Sequence, residues 1–258
     1  VNTSSTGRAE LQAAPGNERL IVALDVATRE EARAIVKRLE GLVAFYKVGY
    51  QLFVAEGMPF IRELLDRGLK VFLDLKMDDI GETIASAVRE IARPGIHLMT
   101  LQGIGAAARA AVTGRGASPL PQILSVTLLS SMSEQDLAEL RLVGPGCRFA
   151  SLMDYVLWRS EQAIAAGCDG VIASGETIGA VRTHLGADPL IVSPGIRPSG
   201  EAMNDHKRAV TPAAAILAGA DFLVVGRPIR QSPDPRELAR ALVAEIEDAL
   251  GARARSLT

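Results

Sequence analysis

The chain has 258 residues, 48% of them hydrophobic, and carries 28 Lys and Arg against 30 Asp and Glu, a formal net charge of -2. That length and apolar content suffice for one large core and leave one or two domains open. The near balance of charge removes the electrostatic case for a nucleic-acid backbone or an anionic membrane as partner and favours a small, locally recognised ligand.

The first 18 residues, VNTSSTGRAELQAAPGNE, lack the apolar core of a signal peptide, and no later run reaches the length needed to span a bilayer. The expectation is a cytoplasmic protein with a flexible tail over residues 1–18 and one domain over 19–258. Cys147 and Cys168 have no CxxC spacing and no His or Cys cluster around them, so they read as small apolar residues in a reducing compartment rather than as a zinc or redox site.

From Leu20 onward, short apolar runs alternate with stretches of helical period. LIVALD (Leu20 to Asp25) precedes a segment in which Ala32, Ile35, Val36 and Leu39 share one helix face. AFYKVG then precedes a helix expected over 51–67, VFLDLK one over 82–92, and HLMTLQ one over 106–111. ILSVTLL, GVIAS, LIVSPGI and FLVVGRPI continue the alternation, each followed by a helical segment. Thr211-Pro212 and Asp234-Pro235 supply N-cap and first-turn proline pairs, and Gly251 marks the expected end of a last helix whose stripe is Leu238, Leu242, Ile246 and Ala249. About eight βα units in one uninterrupted domain predict an α/β fold, a single (β/α)8 TIM barrel. An open doubly wound sheet is the alternative, because periodicity does not reveal closure.

The strand ends carry the chemistry. In KVFLDLKMDDI, Asp74 and Lys76 are two apart and so project to one side of the strand, while Leu75 and Met77 project to the other. Asp25 ends the first strand and Lys47 stands near the end of the second, so three successive strands deliver alternating charges to one rim, the end where barrel enzymes place their sites. Burying any of these charges unpaired is expensive, and alternating signs offset much of that cost. A structural ion-pair network is the bland reading; charges placed alike on three adjacent strand ends favour a functional one.

Past the seventh and eighth strands, SPGIRPSG and VVGRPI each supply a glycine and an arginine, Arg197 in the first, Gly226 and Arg227 in the second. Glycine admits a ligand to backbone N–H groups, arginine offers a planar fork to phosphate oxygens, and these loops are the recurrent phosphate site of barrels. No Walker loop, serine–histidine arrangement or HExxH is present. The chemistry expected is proton or charge management on a phosphorylated small molecule.

In combination and order, VALD, YKVG, DLKMDDI, VTLLSSM, SPGIRP and VGRPI resemble the orotidine 5'-phosphate decarboxylase family from about Leu20 to Leu250. The resemblance implies a (β/α)8 barrel, a homodimer with shared active sites, a nucleotide substrate, and neither metal nor organic cofactor. By position it makes Lys76 the proton donor to C6 of orotidine 5'-monophosphate, with Asp74 and a neighbouring subunit's copy of Asp79 holding it. Asp25 and Lys47 would bind ribose hydroxyls, Ile80 and Thr83 would reach across the dimer, and Ser130 would contact the pyrimidine. Arg197, Gly226 and Arg227 would take the phosphate, with His206 standing where the family carries a glutamine. The pattern departs at Asp78, Gly81-Glu82 and Gln102; Asp78 is expected to point away from the site. Related barrels acting on sugar phosphates share Asp-x-Lys-x-x-Asp but place an acidic metal ligand near Lys47, where an ammonium repels a divalent cation. A non-catalytic phosphate-binding barrel would have lost Lys76 or Asp74, and both are present.

Overall fold

The apolar runs become strands because residues buried on both faces have no use for alternation, and parallel strands covered by helices are buried in that way. In a computed structural model, which describes residues 14–198 and 210–255, they form β1 (Leu20–Ala23), β2 (Phe45–Gly49), β3 (Lys70–Met77), β4 (Leu98–Leu101), β5 (Gln122–Val126), β6 (Gly170–Ile172), β7 (Leu190–Ser193) and β8 (Phe222–Val225). Every neighbouring pair is parallel, and β8 returns to β1 with Leu20 opposite Leu223, so the sheet closes. That closure decides between the barrel and the open sheet.

The helices are α1 (Gly16–Arg19), α2 (Arg29–Arg38), α3 (Tyr50–Asp66), α4 (Gly81–Ala92), α5 (Ala106–Arg115), α6 (Glu134–Glu139), α7 (Leu152–Ala165), α8 (Thr177–Leu185), α9 (Pro212–Leu217), α10 (Arg227–Gln231) and α11 (Pro235–Arg255). Thr28 opens α2 with a capping box, its hydroxyl accepting from Glu31 N while Glu31 Oε2 accepts from Thr28 N. Thr211 caps α9 ahead of Pro212, and Asp234 accepts from Glu237 N at 3.0 Å to open α11. Gly251 does not stop α11 as expected. A glycine ends a helix by entering the left-handed region, whereas this one stays helical, and Arg253 Nη1 docks the next turn on Ala220 O at 3.2 Å. The helical turn Gly16–Arg19 begins inside the segment expected as a tail and ends at the first residue of the expected domain; from it Glu18 pairs with Lys70 and Arg19 Nη1 donates to Asp221 O at 3.0 Å.

Two apolar layers result. Ile21, Phe45, Phe72, Leu124, Leu190 and Phe222 fill the barrel, and a larger cluster lies between sheet and helices, including Ala32 and Val36 of α2 and Leu242 and Ile246 of α11. At the N-terminal end of the barrel one device recurs three times. The residue just before an even strand donates its backbone N–H to the second residue of the preceding strand and accepts that residue's N–H on its side chain. Asp169 does this with Ile123, Asp221 with Ile191, and His97 with Val71. Both carboxylates are also paired, Asp169 with Arg115 and Asp221 with Arg182. No helix among the described residues is long and apolar enough to cross a membrane.

Candidate active site

β3 runs on for eight residues, and past Leu73 its register with β4 shifts by a bulge. Within that irregular stretch Lys76 has φ +43°, in the left-handed region that non-glycine residues seldom occupy. The turn brings Lys76 Nζ to 2.8 Å from Asp74 Oδ1, while Leu75 and Met77 pack outward on the helix layer as expected. On the outer side the Tyr50 hydroxyl of α3 donates to Leu75 O and ties the strand end to its neighbour unit.

The charges from the first three strands meet. Lys47 Nζ lies 2.9 Å from Asp25 Oδ1 and 3.3 Å from Asp74 Oδ2, giving the chain Asp25, Lys47, Asp74, Lys76 with alternating sign. Burial alone would lower the Lys47 pKa, but the carboxylates of Asp74 and Asp25 outweigh it and hold the ammonium above its usual value. Burial would likewise raise Asp74; Lys47, Lys76 and hydrogen bonds from Lys76 and Thr100 overcome that and keep its carboxyl below the usual range. The side chain of Lys76 is 30% exposed against 11% for Lys47, so of the two lysines Lys76 is the more open to the cavity.

That cavity, about 420 Å³, opens at the C-terminal end of the barrel. Asp25, Lys47, Asp74 and Lys76 line one side; Ser130 and Ser131, past β5, lie on its wall. Arg197, Gly226 and Arg227 line it from the loops after β7 and β8, together with Pro194, Gly195 and Arg230. A Cβ at Gly226 would stand 3.5 Å from Ala23 Cβ and 3.7 Å from Asp25 Oδ2, which sets this glycine beside the Asp25 end of the array. Asp79, Ile80 and Thr83, at the start of α4, are exposed and stand outside the lining of their own chain's cleft. Asp78 is also exposed, with Oδ1 laid against Gly103 rather than the cavity, as expected. Gln102 follows β4 with its N–H on Met77 O and its carbonyl on Arg159 Nη2. His206 lies outside the described residues.

Two members of the site escaped the sequence reading. Thr100 of β4 bonds both Lys76 N and Asp74 Oδ1, and Arg230 of α10 reaches the cavity one helical turn past Arg227. For Arg230 the i, i+3 spacing from Arg227 was a usable signal; for Thr100 the signal was its place on the strand next to the charged one. Among the described residues, no group of three or more His, Cys, Asp and Glu side chains is placed to hold a metal ion.

The family model described as "Orotidine 5'-phosphate decarboxylase / HUMPS family" matches residues 18–242. A protein of Methylobacterium sp. (strain 4-46) named orotidine 5'-phosphate decarboxylase is 46% identical over 234 residues, 90% of this chain and 97% of its own length. One of the same name from Bradyrhizobium diazoefficiens is 46% identical over 235 residues, 91% of this chain and 96% of its own. Among solved structures, orotidine 5'-phosphate decarboxylase from Lactobacillus acidophilus superposes with a TM-score of 0.76 at 33% identity, covering 89% of this chain and 99% of that one.

Proposed function

The chain belongs to the orotidine 5'-phosphate decarboxylase / HUMPS family, and on that premise we propose that it converts orotidine 5'-monophosphate to UMP and carbon dioxide, the decarboxylation step of pyrimidine biosynthesis. The observation that carries the reading is the Asp25–Lys47–Asp74–Lys76 chain, ending in an ammonium that faces the cavity. As the bond from C6 to the carboxylate breaks, its electron pair stays on C6 and carbon dioxide leaves. Lys76 Nζ then gives its proton to that carbon and regains one from solvent.

The pyrimidine ring delocalises such a carbanion poorly, so a fixed ammonium is the stabiliser the reaction needs. Asp74 holds Lys76, and Asp79 of the partner subunit of a cytoplasmic homodimer completes the array, with Ile80 and Thr83 also reaching across. Asp25 and Lys47 bind ribose hydroxyls, and Ser130 contacts the pyrimidine. Arg197, Gly226, Arg227 and His206 hold the phosphate, whose remote binding energy offsets the crowding of substrate carboxylate against Asp74. The chemistry calls for no metal or organic cofactor. A metal-dependent sugar-phosphate enzyme fits less well, because the buried Lys47 ammonium stands where such an enzyme keeps an acidic ligand.

The test is loss of orotate absorbance when the purified protein meets orotidine 5'-monophosphate in EDTA. Turnover by the wild type and its abolition in Lys76→Ala are expected; a silent wild type that acts on a sugar phosphate once magnesium is added would replace this reading.

A further inference from the structure

Thr100 sits on β4, 1% exposed, beside the charged end of β3. Its hydroxyl oxygen accepts from Lys76 N at 2.9 Å and is 2.8 Å from Asp74 Oδ1. The amide must be the donor in the first bond, so the single hydroxyl proton goes to the carboxylate in the second. Both ends of Lys76 therefore terminate on one carboxylate oxygen, the ammonium directly and the backbone N–H through Thr100. This loop spans the residue held at φ +43°, a conformation that persists in a non-glycine residue when its surroundings over-determine it.

We propose that Thr100 is a positioning residue of the decarboxylation, locking the backbone of Lys76 so that its ammonium faces C6 and orienting the Asp74 carboxylate that holds it. The inference rests on the reading of Lys76 as proton donor. It extends the rim array from three strands to four, with β4 contributing a hydroxyl where β1, β2 and β3 contribute charges. A threonine suits the task because its stiff χ1 keeps the hydroxyl aimed without a further partner. The charged groups around Asp74 are Lys47 of β2, Lys76 of its own strand and, beyond Lys47, Asp25 of β1. Thr100 is the neutral donor of the set, so its removal takes a hydrogen bond from Asp74 without altering local formal charge.

Thr100→Val keeps the branched shape and deletes the hydroxyl; Thr100→Ser keeps the hydroxyl. Displacement of the ammonium is expected to lower kcat of the valine variant by about 10- to 100-fold. KM should change little, because the interaction lost does not touch bound substrate. The acid limb of the kcat profile should move to higher pH, and the serine variant should recover most of the loss. Wild-type kcat and acid limb in Thr100→Val would overturn the proposal, as would a serine variant no better than valine, since packing would then be the cause. Titration of Asp74 by carboxyl 13C NMR needs no substrate and separates this proposal from the function it rests on. An upward shift in the folded valine variant supports the clamp even if the wild type proves inactive on orotidine 5'-monophosphate, and an unmoved titration removes it.

Discussion

Among the described residues, His97 is a histidine that a backbone amide requires to stay unprotonated at one ring nitrogen. Its Nδ1 accepts from Val71 N at 3.4 Å, which a proton there would forbid. Burial first, and then the nearby Lys70 ammonium, push its pKa down to about 4, with Glu18 opposing. Since the folded value lies below the unfolded one near 6.5, the stability His97 contributes is complete above about pH 6.5 and is lost as pH falls toward about 4, at up to about 1.4 kcal/mol per pH unit. His97→Asn keeps an acceptor in place but cannot titrate. Urea unfolding across that window should show the variant with a slope against pH shallower by about one proton; equal slopes would remove His97 from the acid response. At this scale the legible residues were those that broke a pattern. Asp74 and Lys76 stood out because charge is anomalous on a buried strand. Thr100 did not, because a β-branched residue on a strand is ordinary and only its two hydrogen bonds, on a backbone turned to positive φ, reveal its task.

Among the elements, the N-terminal end of the barrel is where strands are fastened and the C-terminal end is where the charged cavity opens. Asp169 and Asp221 each join an even strand to the preceding odd strand and neutralise an arginine from the helix layer, Arg115 of α5 and Arg182 of α8. Asp169→Ala would strand a guanidinium whose side chain is 6% exposed and orphan Ile123 N–H, at a cost of about 3–5 kcal/mol. The urea midpoint should fall accordingly while kcat of the folded fraction is unchanged. The double variant Arg115→Met with Asp169→Leu should regain much of the loss, because the isolated charge is the main penalty; a double variant no more stable than Asp169→Ala would place the cost in the lost backbone bond instead. Element order, the caps at Thr211 and Asp234 and the stripe of α11 could be read from periodicity and cap chemistry. Closure could not, since it rests on β1 meeting β8 some 200 residues away. The continuation of α11 through Gly251 was hidden for the same reason: the contact of Arg253 with Ala220 is tertiary.

At the scale of the whole molecule, one chain supplies a charged array, an arginine-lined end and a cavity, yet turns Asp79, Ile80 and Thr83 outward beside its own cleft. Ile80 is 72% exposed, and on the adjacent βα unit Tyr50 and Val54 of α3 are 57% and 82% exposed. Large apolar side chains at one rim are the surface expected of an interface, and a two-fold contact there would exchange Asp79 between clefts. Lys76→Ala and Asp79→Ala then fail for different reasons, the first in the cleft of its own chain and the second in the cleft opposite. Mixed in equal amounts under conditions that allow subunit exchange, half the dimers are hybrids, and each hybrid holds one cleft with both residues intact. Activity should therefore rise from near zero to about a quarter of the wild-type value. If the mixture stays as inactive as its parts while gel filtration shows that subunits have exchanged, Asp79 serves the cleft of its own chain. In that case each chain would have to carry its segment from Asp79 to Thr83 inward, and the exposed rim would need another partner.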